Sequence, residues 1–240
     1  MATNRTANRV AIPVIAGRIE AAVSRRRRTL HSGLIVTSSD TSAEPMNTDI
    51  RVKMIPTHAF EEVPHPFVLL VPGGGLPTLR AMSNEPIRNY VRSAAETAEV
   101  AGSICTGALI LASVGLLEGR QATTHWAFHK ILEQFGATYV RKRWVEDGKL
   151  ISSAGVSAGI DAALALAARL TDEETARRVQ RSLGYDPHPP FGGIDYDHLG
   201  TISNTMGAGL SLAAPVIAAK PKRLSKLTGQ RPSSFGELSS

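Results

Sequence analysis

The sequence predicts an α/β protein in which helices cover both faces of a mostly parallel β-sheet, giving a three-layer sandwich. Short apolar segments alternate along the chain with longer segments of helical periodicity, which is the order of β-α-β units. The strand segments are apolar throughout, as in strands that are buried on both faces of a sheet. Apolar residues make up 42% of the 240 residues, enough for the core of a single domain.

Six segments are predicted strands. They cover residues 10–15, 33–37, 67–71, 100–104, 121–124 and 150–153. The first contains Pro13, which has no N–H to donate and therefore fits only near a sheet edge or a strand end. The third is the clearest, because the turn sequence Pro-Gly-Gly-Gly at residues 72–75 closes it.

Helical periodicity marks four further segments, and a fifth helix begins directly after the strand at 100–104. The four segments are residues 86–98, 126–135, 160–170 and 172–183. Ser83 or Asn84 is expected to cap the first of these helices, because their side-chain oxygens accept from free backbone N–H groups. Thr171 is expected to cap the last one for the same reason.

One domain is expected over residues 10–204. Residues 1–9 are polar and are typical of a loose N-terminus. Residues 205–240 are mostly small, basic and rich in Ser and Pro, which indicates a flexible tail. The sequence contains no internal repeat.

The formal net charge of +6 is concentrated at the two ends of the chain. Residues 1–30 contain seven arginines and one acidic residue, whereas residues 31–217 contain more acidic than basic residues. A nucleic-acid interface needs basic residues clustered on the folded surface. We therefore expect no nucleic-acid partner.

The chain lacks the sequence features of a membrane or secreted protein. No apolar run reaches the roughly 18 residues of a transmembrane helix, and no apolar segment precedes a cleavage site near residue 1. The single cysteine, Cys105, cannot form an internal disulfide, which suits a reducing compartment. We expect a cytoplasmic protein with no membrane partner.

Cys105 is the most informative residue, because it lies where a strand is followed at once by a helix. Ser103 and Gly107, two residues to either side, are small, as a nucleophile elbow requires. A sulfur at a helix N-terminus is stabilised as the thiolate, and the N–H of Thr106 would face developing negative charge. The alternative is that Cys105 is a buried packing residue.

The glycines at residues 73–75 form a second candidate site. Glycine lets backbone amides approach a ligand closely, so Gly74 or Gly75 could supply a second oxyanion donor. The spacing is not that of a nucleotide-binding loop, and no lysine follows in a phosphate-loop pattern. An ordinary tight turn is the alternative.

Polar residues elsewhere are weaker candidates. His125 follows a predicted strand, at the sheet edge where α/β proteins place their sites, and it could either line the site or cap a helix. Ser157 and Asp161 flank the start of the helix at 160–170, where Asp161 could cap the helix or bind substrate. His129 has no carboxylate or cysteine partner at metal-ligand spacing, so we expect no metal.

Several of these motifs, taken in order, resemble the ThiJ/PfpI superfamily, whose flavodoxin-like fold is related to class I glutamine amidotransferases. The resemblance lies in residues 71–74, 103–108, 115–120, 122–127, 154–161 and the segment that ends at Phe191. It is strongest over residues 60–192 and is closest to isonitrile hydratases and to the N-terminal domains of AraC-type regulators.

This resemblance implies roles for individual residues. Cys105 would be the nucleophile, Thr106 its neighbour in the site, and His125 a residue that lines it. A carboxylic acid would be hydrogen-bonded to the sulfur. The relatives carry this acid in a segment resembling Leu-Asp-Leu-x-Gly-Pro, which is absent here. Counting back without gaps from Phe60 places Glu20 at that position. The resemblance also implies a homodimer.

The implied activity is that of a cysteine-dependent hydro-lyase that converts an isocyanide to an N-substituted formamide through a covalent thioimidate, without a cofactor. A glyoxalase-like or deglycase-like enzyme acting on α-oxoaldehydes is one alternative. A non-catalytic ligand- or redox-sensing domain is the other. A complete AraC-type regulator is not expected, because the residues after Phe191 are too few for two helix-turn-helix units.

Overall fold

The computed structural model describes residues 58–196 continuously and, before them, only the short strands at 6–7, 37–38, 46–48 and 53–54. The strands are β1 Thr6–Ala7, β2 Thr37–Ser38, β3 Met46–Thr48, β4 Lys53–Met54, β5 His58–Ala59, β6 Val68–Val71, β7 Val100–Ile104, β8 Gln121–Ala122, β9 Thr138–Tyr139, β10 Trp144–Asp147 and β11 Leu150–Ser153. The α-helices are α1 Leu76–Ala81, α2 Glu85–Thr97, α3 Gly107–Ser113, α4 His129–Gln134, α5 Ala158–Leu170 and α6 Glu173–Leu183.

A four-stranded sheet in the order β10-β11-β7-β6 forms the centre of the described region. The strands β6, β7 and β11 are parallel, and β10 pairs antiparallel with β11 at one edge. The β10–β11 hairpin turns at Gly148, whose φ of 61° suits the left-handed region that a two-residue turn requires. The predicted mostly parallel sheet is confirmed.

Helices cover both faces of this sheet, because successive residues of its strands point to opposite sides. On one face Leu69, Val71 and Ala101 pack in a core shared with helices α1 to α4. On the other face Val100 and Ile151 pack against α5, which in turn packs on α6. The protein is therefore a three-layer α/β sandwich, as the sequence predicts.

Close approach between β6, β7 and β11 depends on a glycine in the middle of the sheet. A Cβ at Gly102 would lie 2.6 Å from Cγ2 of Ile151 and 2.8 Å from Cδ2 of Leu70. A side chain at this position would therefore push the neighbouring strands or their side chains apart. All five residues of β7 are buried, so the strand that leads to Cys105 has no room to move.

The structure corrects the N-cap of α6. Asp172, not Thr171, caps this helix, because its Oδ1 accepts from the N–H of Thr175 at 2.7 Å. The hydroxyl of Thr171 instead donates to the carbonyl of Ala167 at the end of α5, at 2.6 Å. For α2 the expectation of Asn84 is confirmed, since its Oδ1 accepts from the N–H of Ile87 at 3.0 Å.

Other boundaries differ from those expected. The helix predicted at 126–135 is a 3₁₀ turn at Trp126–Phe128 followed by α4. The sequence analysis missed α1, β9 and β10, all of which are short or exposed and lack a clear apolar period. The predicted strand at 10–15, most of the strand at 33–37 and the tail at 205–240 lie outside the described residues. None of the helices described here is long and apolar enough to cross a membrane.

Candidate active site at Cys105

Cys105 occupies a strained turn between β7 and α3. Its φ is 58°, and it is the one non-glycine residue with a positive φ in the described part of the chain. This left-handed conformation costs an L-residue free energy and persists only where the surroundings enforce it. The turn follows Ile104 directly and α3 begins at Gly107, so the local geometry is the predicted elbow.

Two hydrogen bonds hold the backbone of Cys105 in this conformation. Its N–H donates to the carbonyl of Ser153 at the end of β11, at 3.0 Å. Its carbonyl accepts from the hydroxyl of Thr124 at 3.0 Å. Because both backbone polar groups of Cys105 are engaged with neighbouring segments, the sulfur has a fixed point of attachment while Cys105 itself stays half-buried.

Small residues let the glycine turn and the elbow come into contact. A Cβ at Gly107 would overlap the carbonyl oxygen of Val71, and a Cβ at Gly73 would lie 2.5 Å from both N and Oγ1 of Thr106. Only glycine fits at these two positions without a shift of the backbone. The two predicted candidate segments are thus brought together in the fold.

The side chain of Thr106 fastens the glycine turn to the elbow. Its hydroxyl donates to the carbonyl of Gly74 at 2.6 Å and accepts from the N–H of Gly74 at 2.9 Å. Oγ1 of Thr78 lies 3.2 Å from both Oγ1 of Thr106 and the carbonyl oxygen of Gly74. Thr106 is 1% exposed, and its buried hydroxyl therefore fixes the loop that faces the cysteine.

This network engages one of the two N–H groups expected as oxyanion donors. The N–H of Gly74 already donates to Thr106, so it is engaged within the protein. The N–H of Gly75 makes no hydrogen bond to another residue of 58–196, and open space surrounds the position of its absent Cβ. Of the two predicted glycine donors, Gly75 is the one whose N–H is available in this segment.

His125 caps the 3₁₀ turn at Trp126–Phe128. Its Nδ1 accepts from the N–H of Ala127 at 3.3 Å, which in a neutral imidazole leaves the proton on Nε2. The ring lies 5.3 Å from that of Trp126 and 5.9 Å from that of Phe128, measured between centroids. Because His125 follows Thr124, which bonds Cys105, it stands at the same edge of the sheet as the elbow.

The remaining candidates have different environments. Ser157 is exposed, precedes α5 and makes no side-chain capping bond. Both oxygens of Asp161 are engaged, one by Arg143 and the other by Tyr185, so Asp161 does not cap the helix. Glu20 lies outside the described residues.

Several site residues were missed by the sequence analysis. Thr78, Thr124 and Ser153 support the turn and the elbow through a hydroxyl or a carbonyl. Thr124 ends a Thr-Thr pair directly before His125, and both threonines are fully buried. Consecutive polar residues at the carboxyl end of a predicted strand are a signal that could have indicated them. Among the residues described here, no cluster of three His, Cys, Asp or Glu could hold a metal ion.

Comparison with known proteins identifies the family. A model of the DJ-1/PfpI family matches residues 9–169, well over half of the chain. The chain belongs to the DJ-1/PfpI family. The strand-elbow-helix geometry at Cys105 is thus found in a chain with the fold that the ThiJ/PfpI resemblance implies.

Two curated relatives and one solved structure show the likeness in detail. The chain is 44% identical over 148 residues to isonitrile hydratase from Pseudomonas putida, covering 61% of this chain and 64% of that protein. It is 35% identical over 115 residues to the HTH-type transcriptional regulator CdhR from Pseudomonas aeruginosa, covering 46% and 33%. The match therefore spans less than two thirds of either relative. A THiJ/PfpI family protein from Pseudomonas syringae superimposes with a TM-score of 0.74 at 27% identity, covering 91% of this chain and 88% of that one.

The Thr106 network predicts a difference between substitutions that remove and keep its hydroxyl. Thr106→Val removes the hydroxyl, which leaves the part-buried N–H of Gly74 without that partner and its carbonyl with Thr78 alone, whereas Thr106→Ser keeps both hydrogen bonds. We expect Thr106→Val to lower the free energy of unfolding by about 1–3 kcal/mol more than Thr106→Ser. Urea unfolding measures this difference, and equal midpoints at equal slope would contradict it.

Proposed function

We propose that this protein hydrates an isocyanide to an N-substituted formamide, using Cys105 as the nucleophile. The observation that carries the proposal is the left-handed elbow at Cys105 in a chain 44% identical over 148 residues to an isonitrile hydratase. The strain at Cys105 supports it further, because such conformations cluster at functional sites. The proposed compartment is the cytosol, and the proposed reaction uses no cofactor.

The reaction balances as the addition of one water. The thiolate of Cys105 attacks the terminal carbon of the isocyanide, forming the S–C bond, and that carbon receives a proton. The product is a thioimidate in which the carbon carries sulfur, hydrogen and a double bond to nitrogen. Water then adds to the carbon, the nitrogen is protonated and the C–S bond breaks, which releases the formamide and regenerates Cys105.

Negative charge develops on oxygen when the hydroxyl of the tetrahedral adduct loses its proton and the C–S bond breaks. We assign the stabilisation of that charge to the N–H groups of Thr106 and Gly75, neither of which donates to another residue of 58–196. His125 would line the pocket through Nε2, since its Nδ1 is used in the cap. Ser157 would border the substrate from the start of α5. Fixed donors of this kind act on the transition state more than on the substrate.

The protein has one cysteine, which makes the nucleophile simple to test. We expect Cys105→Ala to reduce isocyanide hydration to the uncatalysed rate, because no second thiol can form the thioimidate. Formation of the formamide from an aryl isocyanide is followed by absorbance, with circular dichroism as the control for folding. Residual enzymatic hydration by Cys105→Ala would rule out the covalent mechanism.

Glu20 is the proposed acid that protonates the isocyanide carbon and is hydrogen-bonded to the sulfur. If it does so, Glu20→Gln slows hydration and shifts the pH midpoint of Cys105 alkylation, which in the wild type should lie below the ordinary value of about 8.5. Iodoacetamide labelling across pH measures the midpoint. Glu96→Gln, an exposed carboxylate on α2, is the matched control. A midpoint that is unchanged by Glu20→Gln would remove Glu20 from the mechanism.

The same assays discriminate the alternative functions. Turnover of an α-oxoaldehyde but not of an isocyanide would favour the glyoxalase-like or deglycase-like reading. The 35% identity to a transcriptional regulator favours testing a sensor as well. Oxidation of Cys105 by peroxide, without turnover of either substrate, would support that function.

We also propose that the protein is a homodimer. Phe191 is 98% exposed and Ile194 is 59% exposed on the segment that follows α6, so an apolar surface is available for a second copy of this chain. We expect the double substitution Phe191→Ser, Ile194→Ser to shift the monomer–dimer equilibrium towards the monomer, as measured by sedimentation equilibrium. A wild type that sediments as a monomer at micromolar concentration would contradict the proposal.

A further inference from the structure

Three side chains beyond the elbow form a connected polar cluster, which we call the 143–161–185 network. Nε of Arg143 donates to Oδ2 of Asp161 at 2.5 Å, and Nη2 forms an ion pair with the same oxygen. The hydroxyl of Tyr185 donates to Oδ1 of Asp161 at 3.0 Å. Nη2 of Arg143 also donates to the Tyr185 oxygen at 3.3 Å. Each member thus contacts the other two.

Arg143 holds both ends of one loop. Its carbonyl accepts from the N–H of Ala154, the first residue after β11, at 2.9 Å. Its guanidinium binds Asp161, in the first turn of α5. Residues 154–157 join β11 to α5 in this part of the chain, and we call them the 154–157 loop. A single residue therefore fixes where this loop starts and where the helix after it lies.

The 154–157 loop borders Cys105. In the sheet register Ser153 pairs with Ile104, so the loop begins opposite the cysteine, and the N–H of Cys105 donates to the carbonyl of Ser153. The loop's other end leads into α5, where a Cβ at Gly159 would lie 3.0 Å from Cγ2 of Ile104. A shift of the loop would therefore change the space beside the elbow that carries Cys105.

Charge and burial favour the ion pair and the hydrogen bonds that connect the three side chains. The carboxylate of Asp161 is mostly buried, with 17% of its side chain exposed, and it therefore needs a charged partner. Partial burial alone would lower the pKa of Arg143, but the hydrogen bond and charge of Asp161 raise it above its ordinary value. Burial, and then the hydrogen bond to Asp161, raise the pKa of the Tyr185 hydroxyl. Both partners thus stay protonated over the ordinary pH range.

We propose that Arg143, Asp161 and Tyr185 are positioning residues for the cysteine site: they hold the 154–157 loop against the elbow and so set the size of the substrate that reaches Cys105. None of the three is assigned contact with the reacting atoms. The inference about substrate rests on the proposed function, whereas the control of access to the sulfur does not.

The test compares three substitutions with a matched control. Arg143→Gln and Asp161→Asn remove the ion pair, and Tyr185→Phe removes one hydrogen bond from it. Arg177→Gln is the control, because Arg177 also pairs with a carboxylate, that of Glu173, but on the exposed face of α6. Two rates of Cys105 alkylation are measured in each variant, one with iodoacetamide and one with the bulkier N-phenylmaleimide.

We expect Arg143→Gln and Asp161→Asn to raise the ratio of the bulky to the small reagent's rate about three- to tenfold, the scale of losing a partly exposed ion pair and its hydrogen bonds. Tyr185→Phe should change it less. The KM for an aryl isocyanide should change more than kcat, because binding rather than chemistry is altered. The double variant Arg143→Gln, Asp161→Asn should raise the ratio of the two alkylation rates no further than the single variant with the larger effect, because both substitutions break the same ion pair.

If the network has only a structural role, Arg143→Gln and Asp161→Asn would lower the melting temperature and leave the ratio of the two alkylation rates at the value of Arg177→Gln. That result would overturn the proposal. If Arg143→Gln fails to fold, Arg143→Lys and Tyr185→Phe decide it, since a lysine keeps the charge but loses the planar fork. If the wild type hydrates no isocyanide, the reagent ratio still tests the loop, so failure of the proposed function is recognised separately.

Discussion

The left-handed backbone of Cys105 is the constraint on which the rest of the site depends. An L-residue adopts this conformation at a cost, and the structure offsets that cost with hydrogen bonds from two separate segments, β11 and the segment that follows β8. Cys105 therefore keeps its geometry only while Ser153 and Thr124 keep theirs. This requirement explains why buried hydroxyl and carbonyl groups gather at the carboxyl ends of these strands, where an apolar core would otherwise be expected.

Close contact between the glycine turn and α3 follows from the same requirement. Gly73 and Gly107 bring two backbones within the distance at which any side chain would clash, and Thr106 then fills the remaining polar positions. Hydrogen bonds to the N–H and the carbonyl of Gly74 leave the peptide units on either side of this residue little freedom to rotate. The peptide of Gly75 is thereby held beside the elbow before any ligand arrives, which is the condition under which donors stabilise charge efficiently.

Contacts between residues far apart in the sequence position the start of α5 and the 154–157 loop, which borders the elbow. Asp161 was a candidate for capping α5 or binding substrate, and in the structure it does not cap the helix, because Arg143 and Tyr185 engage its two oxygens. These partners lie 18 and 24 residues away along the chain, before β10 and after α6. The start of α5 is thus positioned by a residue that follows the last helix of the described region, and not by neighbouring residues alone.

The fold class could be predicted from the sequence because it depends on local periodicity. Apolar strands such as 67–71 and 100–104 and the helices that follow them specify a parallel sheet covered on both faces, and the elbow at Cys105 is visible as a change of period. Boundaries near Thr171 and the short edge strand β10 were not recovered, since side-chain competition and pairing with β11 decide them.

The site shows the same division between sequence and tertiary structure. The sequence by itself determined that Cys105 follows a strand, that glycines close another strand, and that both lie at one edge of a parallel sheet. Only the tertiary structure decided which amide remains available, Gly75 rather than Gly74, and which groups hold Asp161. Those choices depend on hydrogen bonds between residues more than 15 positions apart, and no local pattern records which distant donor reaches which acceptor.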